Sequence, residues 1–396
     1  MGDRTVFASN LDTVQGGLAL RQYTQAINHI IRRSTSKDSR SLDVCLIACV
    51  LFACFETLRG HIGSSISHLV SGVRILEEST KAEGPANASA EKDRASFPYI
   101  AREELMVQFN RLDTQVHQLI GTTPMTLTLR AQPKSRPVGF ALDVPEHFAT
   151  LDEARNCLEY HCNGYVKFFK NIEDGEIPGA NDHETRRQFW CSQLEQWDRA
   201  FEAFLRKPST KLTPRAQQAA LALKINHRVG KMHLKHAVSS VLNDDMTWDL
   251  HPQEGEDIVQ FAEDLLALDE IARGSSGPRR VEYSLDMWLV GPVYSVAHKY
   301  RDPILRRRAI AVLKNANRQE GIWDSAVVAK VAERIVAIEE GAVGTVRSFQ
   351  DVPDWARIHG LDVKFDKQAR RGHLSYIRPI SQQHGSSEVF KETVYW

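Results

Sequence analysis

The sequence predicts an all-α protein: a multi-helix array of antiparallel helical hairpins, with a small C-terminal β-hairpin. Three observations carry this. Apolar residues recur at three- and four-residue spacing through most of the chain. Strand-like alternation appears only late, at Leu361, Val363 and Phe365 and again at Leu374, Tyr376 and Arg378. Strand and helix patterns do not alternate, which argues against a nucleotide-binding α/β fold.

The elements follow in order. Gly17 to Arg33 places Leu18, Leu20, Tyr23, Ala26, Ile27 and Ile30 near helical spacing. Ser41 is a candidate cap for Leu42 to Leu58, which is apolar almost all round and is therefore expected at the centre of the fold. On that reading Phe52 is a large core aromatic. Gly60 then stops the helix and is expected in the left-handed region. Ser64 to Glu78 carries Ile66, Leu69, Val70, Val73 and Leu76 on one face, completing a helical hairpin. Residues 80–96 read as a mobile loop, Pro98 to Ile120 as helix, and 121–145, with four prolines, as a second loop.

The second half is more regular. Helices are expected over 152–170, 181–206, 213–242, 255–272, 284–300, 303–315 and 325–340. Thr213-Pro214 and Asp302-Pro303 are each a capping residue followed by proline at the first helical position. Residues 342–355 leave the helical pattern, and the hairpin follows, with 366–372 as its turn. Residues 1–380 are expected to form one helical domain, and 381–396 a C-terminal tail whose polar start, Ser381 to Glu388, frays.

Composition limits the function. The chain has 396 residues, 42% hydrophobic and 25% charged, with 50 Lys plus Arg against 50 Asp plus Glu. A formal net charge of zero argues against nonspecific phosphate binding by the whole molecule. The longest apolar run, Val44 to Phe55, is shorter than the roughly 20 residues that a membrane span needs. Met1 to Asn10 has no secretion pattern. The six cysteines sit in helical patterns, with no C-x-x-C pair, and read as reduced core thiols.

No arrangement of chemical groups stands out. Cys157, His161 and Cys162 could converge on a metal, as could His227, His233 and His236, but each set lacks a second pair and core packing explains it better. There is no G-x-S-x-G elbow and no glycine-rich phosphate loop. The acidic pairs Glu103-Glu104, Asp244-Asp245 and Glu339-Glu340 read as solvated surface. Arg301 to Arg318 is the one strongly basic segment. It reads as a solvated helix face whose apolar side is Ile304, Leu305, Ile310 and Leu313. Trp190, Trp197, Trp248, Trp288 and Trp323 are expected in the core. No catalytic, cofactor or metal residue is assigned, and no enzyme activity is expected.

Several stretches do carry a likeness: Cys45 to Leu76, Leu194 to Leu205 (LEQWDRAFEAFL), Tyr283 to Leu313, Gly321 to Glu340 (GIWDSAVVAKVAERIVAIEE) and Val352 to Asp366. Together they resemble the fungal-specific transcription factor domain, the regulatory region of binuclear zinc-cluster transcription factors. The resemblance covers most of Gly17 to Ile380 and rests on structural motifs, not catalytic ones. It implies a nuclear regulator, associated with a secondary-metabolite gene cluster. Its partners would be the transcription machinery, a homo-oligomer or a small-molecule effector. In that family a six-cysteine cluster before the regulatory region reads DNA. Here the 17 residues before Leu18 hold no cysteine. The expectation is therefore no stoichiometric zinc and no sequence-specific DNA binding by this chain. Two other readings stay open: an enzyme of natural-product biosynthesis on the same scaffold, and a pure interaction scaffold.

Overall fold

Caps and a glycine set the helix boundaries at Gly60, Thr213 and Asp302 where the sequence places them. The structure, a computed structural model, describes residues 14–35, 42–82, 97–102, 104–109, 111–112, 144–173, 180–207, 211–236, 245–273, 281–321, 323–366, 369–379 and 387–396. It is mainly helical, with small three-stranded sheets towards the C-terminus. The chain divides into two compact units, residues 1–137 with 365–371, and residues 138–364 with 372–396.

The first unit holds α1 (Val14–Thr35), α2 (Leu42–Leu58) and α3 (Ile62–Ala82). Gly60 has φ +82°. Its N–H and that of His61 donate to the carbonyls of Thr57 and Glu56, so the glycine closes α2 in the left-handed conformation expected of it. The Thr57 and Ser65 hydroxyls lie 2.8 Å apart, and both are within hydrogen-bond reach of the Ala53 carbonyl, so their two protons stitch the hairpin turn from inside. Leu46, Cys49 and Ala53 of α2 and Ile66, Leu69, Val73 and Leu76 of α3 are buried, as are Leu105 and Phe109. A Cβ on Gly72 would lie 2.3 Å from the Phe109 ring, so this glycine is the seat of that aromatic.

The central position expected of α2 needs correcting. Its buried residues include Asp43, Glu56 and Thr57, whereas Val44, Ile47 and Phe55 are half-buried and Leu51 is 60% exposed. Phe52 is half-buried too, with Tyr23 edge-on at 5.1 Å and His68 at 5.4 Å. The buried polar groups have partners: Asp43 accepts from the N–H groups of Tyr99 (2.6 Å) and Ile100 (3.2 Å). Glu56 accepts from His61 Nδ1 (2.7 Å) and Arg59. Of the first expected loop, 80–82 continue α3 and the rest lies outside the described residues, as do Ser41 and most of 121–145.

The second unit runs α4 (Leu151–Glu173), α5 (Ala180–Arg206), α6 (Pro214–His236), a 3-10 turn (Asp245–Leu250), α7 (Pro252–Arg273), β1 (Glu282–Ser284), α8 (Val290–Lys299), α9 (Pro303–Ala316), β2 (Arg318–Glu320), β3 (Trp323–Asp324) and α10 (Ser325–Gly341). The strands β4 (His359–Asp366), β5 (Arg371–Pro379) and β6 (Ser387–Tyr395) follow. Trp197 and Phe201 stack at 4.6 Å in the core of α4, α5 and α6, and Trp197 Nε1 donates to the Ala154 carbonyl at 2.8 Å. Thr213 caps α6 through the Ala216 N–H, and Asp302 caps α9 through those of Ile304 and Leu305.

Three features depart from the sequence reading. The helix expected over 284–300 begins only at Val290, because β1 pairs parallel with β2, which pairs antiparallel with β3. These strands are two or three residues long, too short for alternation to register. The C-terminal hairpin is joined by β6, so 387–395 form a strand where a tail was expected. Among the described residues no helix is long and apolar enough to cross a membrane.

Candidate functional site

The basic segment is the strongest functional candidate in the sequence, and its geometry decides what it can touch. Arg306 lies at helical spacing with Ile310 and Leu313, so α9 turns this arginine inward with its apolar face. Arg301 and Arg306 are fully buried, and so is Glu339 of α10, whose carboxylate bridges them at 2.9 and 2.8 Å. The same carboxylate accepts the Ile358 N–H at 2.9 Å. Arg357 is also buried and reaches Asp249 at 2.6 Å, while Asp249 accepts the Arg301 N–H. Arg306 and Arg357 each donate an Nε–H to a backbone carbonyl, those of Ala297 and Val352.

This cluster ties four stretches together: the 3-10 turn, the α8–α9 junction, α10 and the segment leading into β4. Burial alone raises the Glu339 carboxyl, but Arg301 and Arg306 outweigh it and hold the group below the usual carboxylate range. Burial lowers Arg306 from its ordinary value, against the pull of Glu339.

The outward arginines are paired as well. Arg308 meets Glu256 and Glu263 of α7 at 2.6 and 2.8 Å. Arg307 meets Glu340 at 2.6 Å, Lys314 meets Glu333, and Arg318 meets Asp269 at 2.5 Å. The solvated face expected for this segment is therefore corrected in part: Arg307 and Lys314 keep about half of their side chains exposed, but Arg301 and Arg306 do not. Two of its arginines are interior, and the others form ion pairs with α7 and α10. Ile304, expected on the apolar side, is 69% exposed, while Leu305, Ile310 and Leu313 are buried. Glu339 is likewise buried and not solvated surface; only Glu340 beside it pairs near the surface.

Two further buried groups stand apart from this cluster: Glu320, which the sequence reading passed over, and His227, which it placed in core packing. Glu320 of β2 accepts the N–H groups of Trp288, Leu289 and Val290 at 2.8–3.0 Å, so a carboxylate from a distant strand occupies the N-terminus of α8. Burial raises its pKa above the ordinary value, although those N–H groups and Arg318 act in the other direction. His227 is buried against Trp197 at 5.0 Å, with Nε2 donating to the Leu194 carbonyl and Nδ1 accepting from Arg228. Burial pushes its pKa down to about 4. A signal existed for Glu339, which shares a helical face with Val328, Val331 and Ile335; none existed for Glu320, whose backbone partners lie 30 residues away and more.

The sets read as weak metal candidates are accounted for by packing. Cys157 and His161 are buried in α4, and burial pushes the thiols of Cys157 and Cys162 up to about 12. His233 meets the Trp248 ring edge-on and His236 stacks on it, held by the Thr247 hydroxyl. Among the described residues no group of His, Cys, Asp or Glu is arranged to hold a metal ion. Trp197, Trp248 and Trp323 are buried, as expected of core aromatics, and Trp190 and Trp288 are half-buried.

No protein-family model matches the chain, and no solved structure matches it. The chain is similar to a curated protein, the aspercryptin biosynthesis cluster-specific transcription regulator atnN of Emericella nidulans, at 22% identity over 91% of this chain and 69% of that protein.

Proposed function

We propose that this chain is the helical regulatory region of a fungal transcription regulator that controls a biosynthetic gene cluster, acting in the nucleus through protein partners or a small-molecule effector. The observation that carries the reading is the likeness to a cluster-specific regulator across 91% of the chain. The paired arginines support its second part, that residues 1–396 do not themselves read DNA. Phosphate contacts by Arg307, Arg308 or Lys314 would have to displace Glu340, Glu256, Glu263 and Glu333. Phosphate contacts would in any case position the chain without specifying a sequence.

The test has two arms. Residues 1–396, fused to an unrelated DNA-binding domain, are expected to change expression of a reporter carrying that domain's site. An unchanged reporter, with the fusion present in the nucleus, would overturn the regulatory reading. The purified chain, titrated with a random duplex library at two salt concentrations, is expected to enrich no defined site. Enrichment would overturn the second part alone.

A further inference from the structure

Strand β6 forms one edge of its sheet: it pairs with β5, and among the described residues no strand lies along its other side. His373 of β5 contacts Thr393 at 3.2 Å, and Tyr376 stacks on Phe390 at 5.6 Å, so the strands run antiparallel. The inner face of β6 is anchored. Glu392 accepts from the Tyr376 hydroxyl at 2.6 Å and from Arg334 of α10 at 2.7 Å. Its outer face, Val389, Lys391, Thr393 and Tyr395, is exposed, Val389 at 57% and Tyr395 at 69%. A nine-residue strand held this firmly offers a row of backbone N–H and C=O groups to a further strand.

We propose that β6 is a self-association edge: two copies of the chain pair β6 with β6 antiparallel, about a twofold axis perpendicular to the sheet, joining two three-stranded sheets into one. The sequence of the strand names this occupant. An axis through Phe390 sets Glu388 against Glu392, one through Lys391 sets lysine against lysine, and one through Glu392 sets glutamate against glutamate. Axes through Val389, Val394 and Tyr395 also avoid like-charge pairs, but only the axis through Thr393 does so while setting Lys391 opposite Tyr395. It places threonine against threonine, Glu392 against Val394, and the Lys391 ammonium against the Tyr395 ring of the second copy. The exposed tyrosine and the exposed lysine thus complement each other only across this axis. Pairing along one strand covers less area than a standard interface, so the association is expected in the micromolar range. The inference is independent of the transcriptional reading.

The test is sedimentation equilibrium of the full chain from low to high micromolar concentration, with circular dichroism confirming that each variant is folded. The unaltered chain is expected to form dimers. Tyr395→Lys, which sets lysine against Lys391 of the other copy, is expected to weaken the dimer about tenfold or more. Adding Lys391→Glu to Tyr395→Lys is expected to restore it, by placing opposite charges across the axis. A chain that stays monomeric throughout overturns the proposal. So does a dimer indifferent to Tyr395→Lys, or a folded double variant that fails to recover.

Discussion

Among the described helices α2 is the most apolar, while α9 carries a run of three arginines and no acidic residue. Their burial runs against their composition. In α2 the interior takes Asp43, Glu56 and Thr57 while Leu51 stands in solvent. In α9 the interior takes Arg306 while Ile304 stands in solvent. What decides burial is whether a polar group finds partners, not how polar the helix is. Asp43 meets three backbone N–H groups, and Arg306 meets Glu339 and the Ala297 carbonyl. An apolar side chain asks for nothing specific and can be left outside at little cost.

The largest expected effect is at the acidic centre of the α9 region. Glu339→Ala leaves Arg301 and Arg306 buried without their carboxylate, and is expected to cost about 3–5 kcal/mol in a urea melt. Glu340→Ala, one residue on, removes an ion pair whose arginine is largely exposed, and is expected to cost under about 1 kcal/mol. Equal costs would mean that the guanidiniums are hydrated and the burial contrast is false.

Next comes pH. His227 titrates near 4 in the folded chain and near 6.5 when unfolded. Its folded pKa is the lower one, so the unfolded chain takes the proton first. The stability that the neutral ring confers is present above about pH 6.5, is lost as pH falls, and the loss levels off below about 4. Asp198 favours the charged ring, while Arg228 and Lys231 oppose it. The span corresponds to about 3 kcal/mol. Urea melts at several pH values should show this slope in the native chain and its absence in His227→Gln. Identical slopes would place His227 in contact with water.

Much of this architecture was legible in advance. Caps such as Thr213 and Asp302 and the stop at Gly60 are local chemistry, written within a few residues of the boundary they set. Arg306 and Glu339 were half legible: both sit at apolar positions of their helices, a pattern that marks an inward charge once it is weighed against the solvated reading. Glu320 and Asp249 were not legible. Each acts on backbone groups that only the folded chain brings near, across 30 residues or more. Strand β6 was not legible within the expected tail 381–396, because Arg334 and Tyr376, which hold Glu392, lie 58 and 16 residues away.

A smaller effect sharpens the account of α2. Gly72→Ala would place a Cβ 2.3 Å from a ring carbon of Phe109, which is fully buried and has little room to move. The expected cost is about 1–3 kcal/mol, by overpacking. Phe109→Leu should relieve most of it in the double variant. Full additivity of the two changes would show that the α3 glycine does not seat the ring.

The smallest expected effect carries the comparison furthest. Leu51→Gln replaces a large apolar side chain in the middle of the most apolar helix, where composition alone predicts a heavy penalty. Leu51 is 60% exposed, so little apolar surface returns to water. Leucine and glutamine have similar helix propensities, so the backbone should be indifferent. The expected change is within about 0.5 kcal/mol, the range of ordinary surface substitutions. Arg306→Gln, a change between polar residues in the basic helix, should cost several times more, because it leaves Glu339 with one guanidinium instead of two. Paired denaturant melts read both numbers on one scale. A loss of about 2 kcal/mol or more at Leu51 would mean that the face of Val44, Ile47, Leu51 and Phe55 is covered in solution, and composition would then be the better guide to α2.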